Sequence, residues 1–90
     1  MQSDLQSLKN LGNTSVNWLR AVGIATRADL ETQGPVRVYN RIRERGFKVS
    51  KVLLYALQGA LLNVHWNQLD PDLKQRLVDE AERQLTGGAD

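Results

Sequence analysis

From Val52 to Leu69 the chain carries no Asp, Glu, Lys or Arg. The first part of that stretch, Val52-Leu53-Leu54-Tyr55-Ala56-Leu57 with Ala60-Leu61-Leu62, is apolar nearly all round a helix. A helix with no wet face has to be buried on most sides. Ser50 can cap it, so the pattern predicts a central helix from Lys51 to about Val64. Gly59 lies inside that helix, where close contact with a neighbouring helix is the expected reason. Gln58, Asn63, His65, Asn67 and Gln68 interrupt the stretch, and its apolar part is too short to span a bilayer. With 90 residues in all, one domain is expected over residues 1–86, with 87–90 as a disordered tail.

The remaining segments read as short helices arranged on this one. Ser3 can cap a helix to about Asn10, and Leu11-Gly12-Asn13 follows as a turn. Asn13 or Thr14 can cap a helix to Val22, with Val16, Trp18, Leu19 and Val22 on one face and Gly23 ending it. Thr26 and Asp29 form a capping box that opens a helix stopping at Gly34. Pro35 sits at the first position of a helix running to about Arg45, where its missing N–H costs nothing. There Val38, Tyr39 and Ile42 form the inner stripe, with Arg37, Arg41 and Glu44 opposite. Asp70-Pro71 opens a last helix to about Leu85, with Leu73, Leu77, Ala81 and Leu85 facing in. No alternating run bounded by turns marks a strand, and no period repeats. The fold class is therefore all-α: five or six short helices around a central apolar helix.

Several chemistries are excluded by composition. The chain has no Cys and one His, which leaves no disulfide, thiol nucleophile, Cys-based zinc site or His pair for a metal. No cofactor is expected, since Gly87-Gly88 opens no helix and makes no phosphate loop. The acidic residues of the last helix fit a solvated face better than a catalytic carboxylate pair. His65, just past the central helix, fits a cap on that helix C-terminus or a loop packing role better than an acid or base. Trp18 and Trp66 read as core or lid residues. No enzyme is expected. No basic start is followed by an apolar run, so no secretory signal is seen and the cytoplasm is the expected location.

Charge is distributed unevenly. Residues 1–51 hold nine basic against four acidic groups, and residues 69–90 hold three against six. A basic front and acidic back would steer an anionic partner to one side. Within the front, Leu8-Lys9-Asn10-Leu11-Gly12-Asn13-Thr14-Ser15, followed by Trp18 to Ile24, resembles a helix-hairpin-helix motif. In that motif, backbone N–H groups at a helix start hold a DNA phosphate. Here Asn10 stands where the motif has its first glycine. Asn tolerates positive φ, so the turn can survive, but its side chain obstructs close approach of a phosphate. The same hairpin also serves as a packing unit or protein-binding surface, and both readings stay open. The candidate contact residues are Lys9, Asn10, Gly12, Asn13, Thr14, Ser15, Arg20 and Arg27. Arg37, Arg41 and Arg45, a ladder at intervals of four, extend the set. That ladder suits a phosphate backbone or an acidic protein face, and equally a solubilising helix face.

The order of features along residues 5–80 resembles the C-terminal domain of the TfoX/Sxy family of DNA-transformation (competence) regulators. The segments that carry it are Leu8 to Gly12, Trp18 to Ile24, Thr26 to Leu30, Gly34-Pro35-Val36, Arg45-Gly46-Phe47, Leu53 to Ala60, His65-Trp66 and Leu73 with Leu77. The resemblance implies a bacterial, non-enzymatic co-regulator of DNA-uptake genes, in some bacteria acting beside the cyclic-AMP receptor protein. It brings no catalytic residues. The family's regulators also carry an N-terminal α/β domain that these residues do not include. The expected function is a regulatory interaction module in a transcription complex, its partner an acidic protein such as a transcription factor. The alternative is direct, sequence-independent DNA binding, and an enzyme using His65 with a carboxylate is a distant third. Oligomeric state is not legible.

Overall fold

The computed structural model describes residues 4–87, the side chains of 4, 6 and 85–87 excepted. It begins with a single 3-10 turn, Asp4–Ser7, and continues through α1 (Asn13–Ala21), α2 (Arg27–Gln33), α3 (Pro35–Glu44) and α4 (Lys51–Leu62). A second 3-10 turn, Trp66–Gln68, precedes α5 (Pro71–Gly87). No strand occurs among the described residues, so the all-α expectation holds.

The helix stops follow the punctuation. Gly23 takes φ +85° and closes α1, with its N–H donating to Arg20 O and that of Ile24 to Leu19 O at 2.9 Å. These paired bonds satisfy carbonyls that a helix end otherwise leaves open. Thr26 Oγ1 accepts from Asp29 N at 3.1 Å while Asp29 Oδ2 accepts from Thr26 N at 3.2 Å, completing the capping box of α2. Pro35 occupies the first turn of α3. Asp70 Oδ1 accepts from Asp72 N at 2.9 Å at the start of α5.

Boundaries differ in four places. The helix expected before the hairpin reduces to the 3-10 turn, because only two leucines, Leu5 and Leu8, anchor it; Ser3, its proposed cap, lies outside the described residues. Gly12, not Asn13 or Thr14, is the residue that flanks α1, and no side chain caps it. The central helix stops at Leu62 because Asn63 adopts a left-handed conformation, φ 58°. Gly87, expected in the tail, is still helical, while residues 88–90 lie outside the described residues, as does the side chain of Leu85.

The core forms where α3 and α4 cross. Leu19, Ile24, Leu30, Val38, Ile42, Leu54 and Leu57 are fully buried there. Burying each such side chain contributes about 1.5–3 kcal/mol. α3 touches all four other helices, so it shares the middle of the bundle with α4. α4 is buried through Leu53, Leu54, Ala56, Leu57, Gly59 and Ala60, yet Val52 and Leu62 at its two ends are 42% and 51% exposed. Asn40 is the exception in the α3–α5 contact. Its Nδ2 donates to Ala81 O at 3.1 Å, and its buried Oδ1 has no partner among the described residues.

Candidate functional site

The hairpin between the first 3-10 turn and α1 is held by one side chain. Asn10 takes φ 73°, the left-handed turn that its place in the sequence required. Its amide points inward. Nδ2 donates to Val64 O at 3.0 Å and to Ala56 O at 3.4 Å, and Oδ1 accepts from Trp66 N at 3.1 Å. Asn10 therefore fastens the hairpin to the end of α4, with its amide engaged by Val64, Ala56 and Trp66. This also explains Gly59. A Cβ there would meet Asn10 Nδ2 at 2.7 Å and Val64 O at 2.8 Å. The close neighbour is the hairpin amide and the following loop, not a neighbouring helix as the sequence suggested.

Beyond Asn10 the hairpin is open. Gly12, Asn13 and Thr14 are exposed, and the first N–H groups of α1 receive no side-chain cap. Gly12 has φ −95°, and a Cβ there would meet nothing within 4 Å, so neither backbone nor space demands glycine. Ser15 lines a groove between α1 and the start of α4, together with Trp18, Lys48 and Val52. Lys9 is exposed beside the hairpin.

The arginines do not gather into one patch. Arg41 and Arg45 share an open hollow with Ala21, Val22, Gly23 and Glu44, at the end of α1 just past the exposed Arg20. That position puts two guanidinium groups at the negative end of the α1 dipole, with Glu44 opposing them. Arg37 lies at the other end of α3, in a depression shared with Glu80 of α5. Arg27 is engaged within the fold: Nη1 pairs with Glu31 Oε2 at 3.2 Å and Nη2 donates to Leu61 O at 2.8 Å. Arg43, outside the candidate set, lies 5.2 Å from the Tyr39 ring centroid. Lys9, Arg20, Arg37, Arg41 and Arg45 are exposed and form no ion pair among the described residues.

His65 caps the 3-10 turn, not α4. Its Nδ1 contacts Asn67 through both Oδ1, at 2.7 Å, and the backbone N, at 3.4 Å. The ring stacks beside Trp66, which itself stacks on Tyr55. Lys74 of α5 sits over both Trp66 and Tyr55, at 5.4 and 5.6 Å from their ring centroids. Such cation–π contacts are worth about 0.5–1 kcal/mol at exposed sites. Among the described residues no three His, Asp or Glu groups converge as metal ligands, and no helix is long and apolar enough to cross a membrane.

The groove was not legible from residue types. In the sequence Lys48 is one of nine basic residues among the first 51, and Val52 is one more apolar residue of a buried helix. The signal that could have marked it is the position of Val52 in the first turn of its helix, where fewer neighbouring elements can cover it.

Comparison with known proteins agrees with the fold and the order of motifs. A crystal structure of a protein of unknown function from Listeria monocytogenes, in a tetragonal form, is 32% identical. It aligns over 90% of this chain and 99% of its own, with a TM-score of 0.80. A triclinic-form structure of an uncharacterized protein from the same organism is also 32% identical, over 92% and 93% of the two chains, with a TM-score of 0.81. None of the curated proteins matches. The model of the TfoX C-terminal domain matches residues 1–81, and the chain belongs to that family, a competence-regulator-like domain.

Proposed function

We propose that this domain is a non-enzymatic interaction module that acts by docking an acidic protein partner within a bacterial transcription complex. The observation that carries the reading is the state of the basic side chains. Among the described residues Arg20, Arg41 and Arg45 stand exposed and without an ion pair around the end of α1, while Asn10, at the point of the hairpin, is turned inward. A phosphate backbone is best followed by a continuous basic track. Here Arg37 and Arg27 stand apart from the others, and Arg27 already serves the fold. Separate basic spots suit the uneven face of a protein, where charge complementarity speeds association and selects partners. The non-enzymatic part rests on family membership and on the capping role of His65.

One observation favours the second reading, direct DNA contact. The N-terminus of α1 is uncapped and exposed, and its N–H groups together with Lys9 suit a single phosphate. Both readings are tested by capture from a nuclease-treated bacterial extract on the immobilised domain. Protein docking predicts a partner that survives nuclease and is lost with Arg41→Glu/Arg45→Glu. Capture that disappears with nuclease supports DNA instead.

A further inference from the structure

The groove between α1 and the start of α4 has an unusual combination of walls. Its floor is apolar: Trp18, Val49, Val52 and Trp66 line it. Val52 is 42% exposed there, at the beginning of the most hydrophobic helix in the chain. Its volume is about 390 Å³ and it opens to solvent. A space of that size accepts one or two large side chains, not a helix or a duplex.

Among the described residues its walls carry charge of one sign: Lys48 lines them and no carboxylate does. No Asp or Glu occurs anywhere from Arg45 to Leu69. Ser15 in the first turn of α1 and Ser50 at the start of α4 bring both helix beginnings to the same rim, and among the described residues neither beginning has a side-chain cap. The positive ends of two helix dipoles thus add to the Lys48 charge.

We infer that this groove docks a segment of a protein partner in which an apolar side chain is flanked by carboxylates. The inference rests on the protein-docking reading above and adds a second contact surface, separate from the Arg41 and Arg45 hollow, with the chemistry of its ligand. The apolar side chain lies on Val52 and between Trp18 and Trp66, where aromatic anchors concentrate binding energy. The carboxylate lies toward Lys48 and the open helix ends. A contact this small gives modest affinity by itself, on the order of tens of micromolar.

Trp18 and Trp66 are the only tryptophans in the chain and both line the groove, so intrinsic emission reports on it directly. The probe is an acetylated peptide of aspartates and glutamates carrying one leucine and one phenylalanine. Two controls replace its acids by lysine, or its leucine and phenylalanine by serine; oligo-dT is the third. The acidic apolar peptide is expected to shift the emission saturably, with both peptide controls at least about tenfold weaker. Val52→Asp and Lys48→Glu change exposed positions, and each is expected to lower affinity by about fivefold or more with unchanged helical circular dichroism. Equal binding of all three peptides, binding of none, or tighter competing binding of oligo-dT overturns the assignment. A partner captured from nuclease-treated extract equally by wild type and Val52→Asp also overturns the groove, while leaving the docking reading intact. Loss of that capture on nuclease treatment overturns the docking reading itself, and the groove assignment with it.

Discussion

The side-chain amide of Asn10 fills the space that a Cβ on Gly59 would occupy, with Nδ2 2.7 Å from that position. The two residues are far apart in sequence, and each explains the other. Asn10 needs a bare backbone to reach Val64 O and Ala56 O, and Gly59 provides it. The contact fixes the hairpin relative to α4 and so sets one wall of the groove.

Gly59→Ala should destabilise the domain by about 1–3 kcal/mol, the usual cost of forcing a methyl into a filled contact. Asn10→Ala should cost about 3 kcal/mol, since it strands Trp66 N and Val64 O and puts a Cβ residue at positive φ. Asn10→Gly relieves the backbone and should cost less than Asn10→Ala. Combining Asn10→Gly with Gly59→Ala should cost less than the sum of the singles, because the amide is gone and only Val64 O still crowds the new methyl. Urea unfolding followed by circular dichroism measures all four; additive losses would contradict the contact.

Asn40→Leu should be neutral or stabilising, within about 1 kcal/mol. The native Oδ1 is buried without a partner among the described residues, and the bond from Nδ2 ends on a helix carbonyl. Replacing a half-satisfied buried amide with an apolar group of similar volume removes a desolvation cost. A loss above about 3 kcal/mol on thermal unfolding would show that Oδ1 has a partner after all.

Arg27→Ala should cost about 1 kcal/mol and leave partner capture unchanged. Its ion pair with Glu31 is exposed and worth little, and the bond to Leu61 O ties α2 to the end of α4. Arg41→Glu should do the reverse: stability nearly unchanged, capture lost. Equilibrium unfolding and capture on the same two proteins separate the roles.

Helix order and type were legible because glycine, proline and capping residues mark almost every boundary. Thr26 with Asp29, Gly34-Pro35 and Asp70-Pro71 each do locally what their chemistry predicts. The first helix failed because its brief leucine pair has too few partners to nucleate a full α-turn, and nucleation is costly. The candidate site was less legible, because side-chain direction depends on tertiary contacts. Asn10 and Arg27 have the right types for an anion site, but carbonyls of α4 and the loop after it claim them. Conversely Lys48 and Val52 look ordinary in sequence and come to line one groove with Trp18 and Trp66 only after folding.

The most direct test of the account is fluorescence anisotropy of the purified domain with a labelled random duplex, titrated from low to physiological salt. Docking of an acidic protein predicts no binding tighter than about 100 µM at about 0.15 M salt, weaker than the bulk of non-specific DNA binders. Micromolar binding that falls steeply with salt, and weakens with Arg20→Ala, would contradict it and make the domain a DNA-contacting hairpin.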